Sequence, residues 1–253
     1  MVDWSVRLRS VLFFLLYNLI GIVHSFLCLA AAPFQNYRQR FHFVNHWTRA
    51  TMWLLRHLNG VHIDVRGLEH IPADEPVVVM ANHQSQWETF YLQLLIAPQS
   101  TVLKRELLWV PFFGWGLALL RPIAINRRDR GHALKTVLKQ GKARLDEGIS
   151  VVIYPEGTRQ PPGTLGRFNA GGALLACHAG RRLLPVVHNA GHCWPARSMM
   201  RRPGTITLVI GPPIETEGKS AKEVNAEAEQ WIRDQAAQLP GAKPPIHEKL
   251  VMP

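Results

Sequence analysis

A histidine and a glutamate five residues apart are the residues of this chain whose types and spacing point most directly to chemistry. His83 and Glu88 lie in the segment 82–88 (NHQSQWE), which follows the apolar run 77–80 and leads into a helix-like stretch at 89–96. One imidazole nitrogen of His83 can take a proton from a hydroxyl, while the carboxylate of Glu88 holds the other N–H and fixes the tautomer. The sequence therefore predicts a general base whose attacking hydroxyl belongs to a substrate.

Other interpretations of this segment remain to be weighed. The chain has twelve histidines, and a histidine near a glutamate is also common as a solvated pair or a capping contact. A hydrolase that uses Ser85 is disfavoured, because Ser85 lacks a Gly-x-Ser-x-Gly elbow and lies beside its own base in sequence. No metal site is predicted, since the other nearby histidines lack ligand spacing; they are His178, His188 and His192.

Cationic side chains follow several short apolar runs. The segment 154–159 (YPEGTR) follows the run 149–153, with Gly157 free to take a positive φ and Arg159 at its end. Lys104 and Arg127 each follow another such run. Because ligands collect at the carboxyl ends of parallel strands, these residues predict one basic crevice that binds an anionic substrate carrying a hydroxyl. Two further cations are interpreted as solvated surface charges: Arg105 and Arg128.

Four segments in a fixed order carry a resemblance to a known family. They are Asn-His-x-x-x-x-Glu at 82–88, Pro-Ile-Ala-Ile-Asn-Arg at 122–127, Tyr-Pro-Glu-Gly-Thr-Arg at 154–159 and Leu-Pro-Val-Val at 184–187. Together they resemble the sequence blocks of the glycerolipid acyltransferases, and most closely those of the bacterial lysophosphatidate acyltransferases. The resemblance covers roughly residues 76–191.

The resemblance implies a reaction and a set of substrates. An acyltransferase of this kind moves an acyl chain from acyl-CoA or acyl carrier protein to the sn-2 hydroxyl of 1-acyl-sn-glycerol 3-phosphate, which gives phosphatidic acid for phospholipid synthesis. His83 and Glu88 would then be the catalytic residues. The acyl-CoA or acyl carrier protein is a co-substrate, so that no cofactor and no metal is expected.

The family's motifs also imply roles for the basic residues. Arg127 and Arg159 are expected near the phosphate of the acceptor, with Lys104 as a third cation. Glu156 is expected to orient the glycerol backbone or the arginine pair. Since a guanidinium can bind phosphate oxygens through two hydrogen bonds, lysine should replace either arginine poorly. The remaining substrate-binding residues assigned by the same block are Gly157 and Thr158.

The chain departs from the family's pattern at two places that matter. Glu88 stands where the first block usually ends in Asp, and Asn169 stands where a lysine is often found after the third block. Other acceptors therefore stay open: glycerol 3-phosphate, another lysophospholipid or a lyso-aminolipid. A non-catalytic binder of anionic lipid or nucleic acid is the alternative of a different class.

Composition limits the class of partner. With 253 residues and 47% hydrophobic content, the chain can bury a full core. The formal net charge of +11 predicts an anionic partner, which charge alone does not identify as lipid or nucleic acid. The three cysteines form no close-spaced metal pattern and are interpreted as reduced, buried residues of a cytosolic protein; they are Cys28, Cys177 and Cys193.

The N-terminal region favours lipid over nucleic acid, so no nucleic-acid partner is predicted. Residues 11–32 carry no charge and are rich in large apolar side chains, with arginines on both sides. They are expected to enter one leaflet or to lie in it rather than simply to span the bilayer. Cleavage as a signal peptide at 30–32 is disfavoured, because the apolar stretch is too long.

Residues 38–58 predict a basic amphipathic helix. We expect anionic membrane lipids as partners and the cytoplasmic face of the inner membrane as the location.

Alternation of strands and helices between 76 and 210 predicts an α/β fold with a largely parallel central sheet flanked by helices. A membrane-associated helical unit precedes it. The expected division is 1–60 for the membrane-associated helices, 61–240 for the catalytic domain and 241–253 for an irregular tail. Further predicted elements are helices at 133–145 and 221–238 and strands at 181–187 and 205–210.

Overall fold

A seven-stranded sheet forms the centre of the molecule. The structure is a computed structural model, and it describes residues 3–242. Its strands lie in the order β1-β7-β6-β2-β5-β3-β4. In chain order they are β1 (Val61–Arg66), β2 (Val78–Ala81), β3 (Gln99–Lys104), β4 (Ile123–Ile125), β5 (Ser150–Ile153), β6 (Leu183–His188) and β7 (Gly204–Ile210).

The prediction of a largely parallel sheet is confirmed. All neighbouring strands are parallel except β6 and β7. The central strand β2 lies between β5 and β6, with Val79 opposite Val152 on one side and Leu184 on the other. These three strands are buried on both faces, which explains their continuous apolar runs. The edge strand β1 was not predicted, although its alternating apolar and polar residues are typical of a half-buried strand.

Helices cover both faces of the sheet and create two core layers. In one layer Leu55 and Trp87 are fully buried beside Leu184, and in the other Leu175 and Ile232 pack on the opposite face. In chain order the helices are α1 (Trp4–Ala31), α2 (Tyr37–Asn59), α3 (Trp87–Leu95), α4 (Phe113–Ala118), α5 (Arg130–Asp146), α6 (Gly171–Ala179) and α7 (Ala221–Gln238), and a 3₁₀ helix spans Arg105–Trp109.

The first two helices are tied closely to each other. The helix α2 begins with a capping box in which Asn36 and Gln39 each accept the other's backbone amide, and it ends at Gly60 with φ +67°. The indole of Trp47 donates to the carbonyl of Tyr17 on α1 at 3.1 Å. A Cβ on Gly21 would lie 2.9 Å from that indole nitrogen. A small residue is therefore required where α1 crosses α2.

The N-terminal helix is both docked and exposed. Phe13 is fully buried, and its ring meets that of Trp194 edge-on at 5.2 Å. Most of the helix is nevertheless open to solvent. Within residues 3–242, one helical stretch, Trp4–Phe34, is long and apolar enough to cross a membrane by length and composition. Of the most apolar 18 consecutive residues in this stretch, 11% are buried. The apolar segment predicted at 11–32 thus belongs to a longer helix that starts at Trp4.

Candidate active site

The loop between β2 and α3 positions the predicted acid–base pair. His83 Nδ1 lies 2.8 Å from Glu88 Oε1, and the same oxygen accepts the backbone amides of Gln84 at 3.0 Å and Ser85 at 2.8 Å. Complete burial by itself raises the pKa of Glu88, but the imidazoles of His188 and His83 and the Ser85 amide outweigh it and hold that pKa below its usual value. Glu88 is therefore an ionised acceptor that keeps the proton of His83 on Nδ1.

The opposite nitrogen of His83 is left for a substrate. Among residues 3–242, no protein group makes a hydrogen bond to Nε2, and the histidine is 7% exposed. The ring of Tyr154 stacks on the imidazole with centroids 4.2 Å apart, and burial keeps the pKa of that phenol well above its ordinary value. The stack holds the imidazole plane in place, so that Nε2 can act as a general base towards a hydroxyl that enters the crevice.

Two alternative uses of this loop are not supported by the geometry. Ser85 is fully buried, and its hydroxyl accepts the first backbone amide of α3, that of Trp87, at 3.0 Å, so it is not placed as a nucleophile. Within residues 3–242, no group of three or more His, Cys, Asp or Glu side chains is arranged to hold a metal ion.

The turn after β5 brings the predicted cations beside His83. Gly157 adopts φ +68°, and its amide donates to the carbonyl of Tyr154 at 3.0 Å. The guanidinium of Arg127 donates to the carbonyl of Gly157. Although Arg127 lies at the surface, partial desolvation and the like charge of Arg159 lower its pKa. The two arginines, which are 32 positions apart in sequence (159 − 127), therefore share one electrostatic site.

Arg159 itself lies on the His83 side of the molecule. The next residue, Gln160, donates its amide to the carbonyl of His83 at 2.7 Å. The charge of Arg159 lowers the pKa of the phenols of Tyr154 and Tyr17, against the stronger effect of burial, which raises both. Its Nε is buried and has no hydrogen-bond partner within the described part of the chain. An unpaired guanidinium next to Arg127 is suited to bind an anion.

The remaining predicted binding residues lie at the rim of this site. Lys104 is opposite Ile125 in the β3–β4 register, and its Nζ is 3.3 Å from the carboxylate of Glu106, with half of the side chain exposed. Thr158 is exposed on the turn. Both can reach a ligand from solvent, but neither is held as firmly as the arginine pair.

A family model described as "Acyltransferase" matches residues 62–189, from β1 to the residue after β6. That is half of the chain, and it contains all four of the sequence blocks. The chain belongs to the acyltransferase family.

Relatives named as acyltransferases match most of the chain. A 1-acyl-sn-glycerol-3-phosphate acyltransferase of Pseudomonas aeruginosa is 45% identical over 250 residues, which is 97% of this chain and 95% of that protein. The human 1-acyl-sn-glycerol-3-phosphate acyltransferase alpha is 30% identical over 70% of this chain and 63% of its own length. The crystal structure of a Thermotoga maritima 1-acyl-sn-glycerophosphate acyltransferase superposes with a TM-score of 0.79 at 22% identity, covering 94% of this chain and 97% of the other. This likeness shows the same fold.

Glu156 of the acyltransferase has partners that its motif did not indicate. Its two carboxylate oxygens accept the amides of His83 at 2.6 Å and Gly166 at 2.8 Å. Burial raises its pKa to about 7, against the effect of these two amides. The carboxylate thus joins the base-bearing loop to the loop after the arginine turn. The structure shows it orienting backbone, whereas the resemblance implied that it orients glycerol or the arginine pair.

Asn169 of the acyltransferase has a similar structural role. Its side-chain amide and its backbone amide both donate to the carbonyl of Pro155, at 2.7 and 3.0 Å. The position where a cation is common in the family is used here to close the 155–169 loop. The cysteines fit the prediction in part, since Cys28 and Cys193 are buried, while Cys177 is half-buried and all three are free.

Sequence reasoning missed two residues of this site. Asn82 and His188 form hydrogen bonds with each other at the carboxyl ends of the neighbouring strands β2 and β6. His188 Nε2 also lies 3.8 Å from Glu88 Oε2. The signal that could have identified His188 is its place directly after the apolar run of the fourth block, because polar residues at that end of a parallel strand face the site.

Proposed function

We propose that this acyltransferase transfers an acyl chain from acyl-CoA or acyl carrier protein to the sn-2 hydroxyl of 1-acyl-sn-glycerol 3-phosphate. The observation that carries the proposal is that one site contains both an imidazole held by a carboxylate and a pair of arginines. The hydrogen bond of 2.7 Å from the Gln160 amide to the His83 carbonyl joins the two loops that bear these groups. The printed names of the relatives supply the substrate. The product is then phosphatidic acid.

The geometry supports a direct transfer with one base. Nε2 of His83 accepts the proton of the sn-2 hydroxyl while its oxygen attacks the thioester carbonyl carbon. The C–S bond then breaks, and the leaving thiolate takes the proton from the imidazolium. The charge of Glu88, 2.8 Å away, stabilises that imidazolium. General base catalysis is typically worth about 10²- to 10⁴-fold, so positioning of the two substrates must supply much of the remaining acceleration.

The arginine pair provides that positioning for the acceptor. Arg127 is held by the carbonyl of Gly157, and Arg159 has an unpaired Nε. Two guanidinium groups can each present parallel N–H donors to phosphate oxygens, which fixes both the position and the rotation of the headgroup. The sn-2 hydroxyl is two carbons and one ester oxygen away from the phosphate, so a bound phosphate brings this hydroxyl towards His83.

An apolar cavity beside the site is suited to a hydrocarbon chain. It has a volume of about 190 Å³ and lies between α1, α2, α3 and α4. Tyr17 lines the cavity and is within electrostatic reach of Arg159, so the cavity adjoins the polar site. Other apolar lining residues include Ile22, Trp47, Phe90, Phe113 and Leu117. The cavity can hold the acyl chain of the donor or that of a lysophospholipid acceptor.

We also propose that the enzyme works at the cytoplasmic face of the inner membrane. Residues 1–60 would associate with lipid, and residues 61–240 would form the catalytic domain. The irregular tail predicted at 241–253 lies outside the described residues, except for 241 and 242. Support comes from α1, whose exposed side chains include Leu8, Leu15, Leu19, Phe26 and Leu27. An apolar helix of this kind with basic flanks is typical of interfacial attachment to anionic lipid.

A second exposed apolar segment extends this surface. Within residues 105–115, Trp109 is 66% exposed and Trp115 is 43% exposed. Phe112 joins the segment to α1 through a ring contact with Phe26 at 5.2 Å. The guanidinium of Arg105 lies over the ring of Trp109 at 5.6 Å. Tryptophan together with arginine is suited to the headgroup region of a bilayer.

The test uses the purified full-length enzyme in detergent with a labelled acyl donor. The acceptors are lysophosphatidate, glycerol 3-phosphate, other lysophospholipids and a lyso-aminolipid, and the position of the new ester is determined. We expect lysophosphatidate to be the best acceptor, with the label at sn-2. His83→Ala should remove about 10²- to 10⁴-fold of turnover, while His178→Ala, an exposed histidine on α6, should not change it. Preference for another acceptor would replace the proposed substrate. If the wild-type protein shows no turnover, and if its binding of lipid or nucleic acid is unchanged by His83→Ala, the protein would be a non-catalytic binder.

A further inference from the structure

His188 is a buried histidine that the mechanism so far does not use. It ends β6 and is 1% exposed. Its Nδ1 accepts the amide of Ala190 at 3.2 Å, so the ring proton must be on Nε2, which donates to the carbonyl of Asn82 at 2.9 Å. Burial lowers the pKa of His188 against the opposing charge of Glu88. The ring is therefore a neutral imidazole with one fixed N–H.

The backbone of His188 is joined to the same asparagine. Asn82 Oδ1 accepts the amide of His188 at 2.9 Å, and Asn82 Nδ2 donates to its carbonyl at 3.0 Å. Three hydrogen bonds thus connect His188 to the residue that directly precedes His83. This clamp fixes the end of β2 relative to β6 and thereby the backbone from which the base projects.

The ring of His188 also faces the second oxygen of Glu88. Glu88 Oε1 receives three donors, whereas Oε2 is buried without a hydrogen-bond partner in the described part of the chain. His188 Nε2 lies 3.8 Å from that oxygen. The distance is too long for a hydrogen bond but short enough for the positive edge of the imidazole to act on the carboxylate charge. The titratable groups that act on this ring are Glu88 and His83.

We propose that His188 is a positioning residue for acyl transfer. Through Asn82 it fixes the end of β2, from which His83 projects. Its N–H also offsets part of the charge on Oε2 of Glu88, so that the carboxylate orients the imidazole of His83 without making the shared proton too hard to release. The proposal rests on the proposed function, because it assigns His188 to the reaction in which His83 is the base.

Removal of the ring should affect catalysis more than binding. Without the His188 N–H, more of the charge of Glu88 acts on His83, and the pair keeps its proton to higher pH. The acid limb of the kcat profile should then move upward by about one pH unit, which lowers kcat by at most about tenfold at neutral pH. The KM for lysophosphatidate should change less than twofold, because Arg127 and Arg159 do not contact His188.

The experiment compares three variants with the wild-type enzyme. His188→Leu removes both ring nitrogens, and His188→Gln keeps an N–H donor at about the same reach. Val187→Ala is the matched control, since Val187 is fully buried on the neighbouring position of β6 and packs on the opposite face of the sheet. For each, kcat and KM are measured across pH, and unfolding midpoints are recorded.

We expect His188→Leu to shift the acid limb upward, His188→Gln to restore it, and Val187→Ala to lower stability without moving it. An unmoved limb in His188→Leu, or equal shifts in His188→Leu and Val187→Ala, would overturn the proposal. The ring titration of His83, followed by nitrogen NMR in the same variants, needs no turnover and should show the same upward shift. An inactive wild-type enzyme would therefore contradict the proposed function alone, while an unshifted His83 titration would contradict the role of His188.

Discussion

Nδ1 of His83 lies 2.8 Å from Oε1 of Glu88, and this carboxylate oxygen also accepts hydrogen bonds from two backbone amides of the same loop. Because three donors fix this oxygen, the direction of the imidazole is set before any substrate arrives. Such preorganisation spares the enzyme the cost of turning dipoles during the reaction. Glutamate can therefore replace the aspartate that is common in the family, since the loop amides hold its longer side chain in place.

The arginine pair should not tolerate lysine. Arg127→Lys and Arg159→Lys keep the charge but lose the two parallel N–H donors, so each should raise the KM for lysophosphatidate about tenfold with a smaller effect on kcat. The measurement is steady-state kinetics with the acyl donor at saturation. Arg128→Lys, an exposed neighbour, is the control and should behave as wild type. An unchanged KM in Arg159→Lys would remove Arg159 from the phosphate site.

Glu156 should make stability depend on pH. Its pKa in the folded protein is raised to about 7 from an ordinary value of 4.5. Between these values the folded protein binds more protons than the unfolded chain, so the contribution of Glu156 to stability is full below pH 4.5 and is lost as the pH rises to about 7. Unfolding midpoints at a series of pH values measure this.

The variant Glu156→Gln should flatten that pH dependence and also lower kcat, because only one of its two terminal atoms can accept the amides of His83 and Gly166. Glu215→Gln changes an exposed carboxylate and serves as the control. The same slope in Glu156→Gln and wild type would mean that another group titrates.

The phenol oxygen of Tyr154 should be dispensable. It is buried and has no hydrogen-bond partner within the described residues, while the ring stacks on His83. Tyr154→Phe removes an unsatisfied polar atom and keeps the stack, so activity should stay within about twofold and stability should rise by up to about 1 kcal/mol. Tyr154→Leu removes the stack and should lower kcat. Equal loss of activity in both variants would show that the hydroxyl has a role of its own.

The exposed Trp109 should contribute to membrane binding. Trp109→Ala removes an interfacial ring and the partner of Arg105, so the affinity for vesicles that contain anionic phospholipid should fall several-fold. Co-sedimentation with such vesicles measures this. Leu134→Ala, an exposed apolar residue on α5, is the control for loss of apolar surface elsewhere. Wild-type binding by Trp109→Ala would restrict the membrane surface to the N-terminal helices.

The sequence predicts those parts of the molecule that depend on local pattern. Buried parallel strands give continuous apolar runs, and the runs before His83 and Tyr154 were therefore recognisable as β2 and β5. The five-residue spacing of His83 and Glu88 needed only one loop and the start of a helix. The alternation of β1 is visible in the sequence, but its place beside β7 and the antiparallel pairing of β7 with β6 depend on distant partners, which a single sequence does not show.

The parts of the site that escaped prediction are contacts between distant backbone and side chain. Glu156 binds the amides of His83 and Gly166, and a backbone amide has no signature in the sequence. His188 meets Glu88 across two neighbouring strands, 100 positions apart (188 − 88). The roles proposed for both residues depend on neighbours that only the strand order brings together.

The central claim is that one site joins a histidine base to an arginine pair that binds the acceptor's phosphate. The most direct measurement is the ratio of kcat/KM for 1-acyl-sn-glycerol 3-phosphate to that for 1-acyl-sn-glycerol, which lacks the phosphate, in the wild type and in Arg127→Ala/Arg159→Ala. We expect a ratio of about 100 or more in the wild type, from two charge-assisted contacts, and a ratio near 1 in the double variant. His83→Ala should lower turnover about 10²- to 10⁴-fold on both acceptors. An unchanged ratio in the double variant would contradict the claim that the arginine pair binds the acceptor's phosphate.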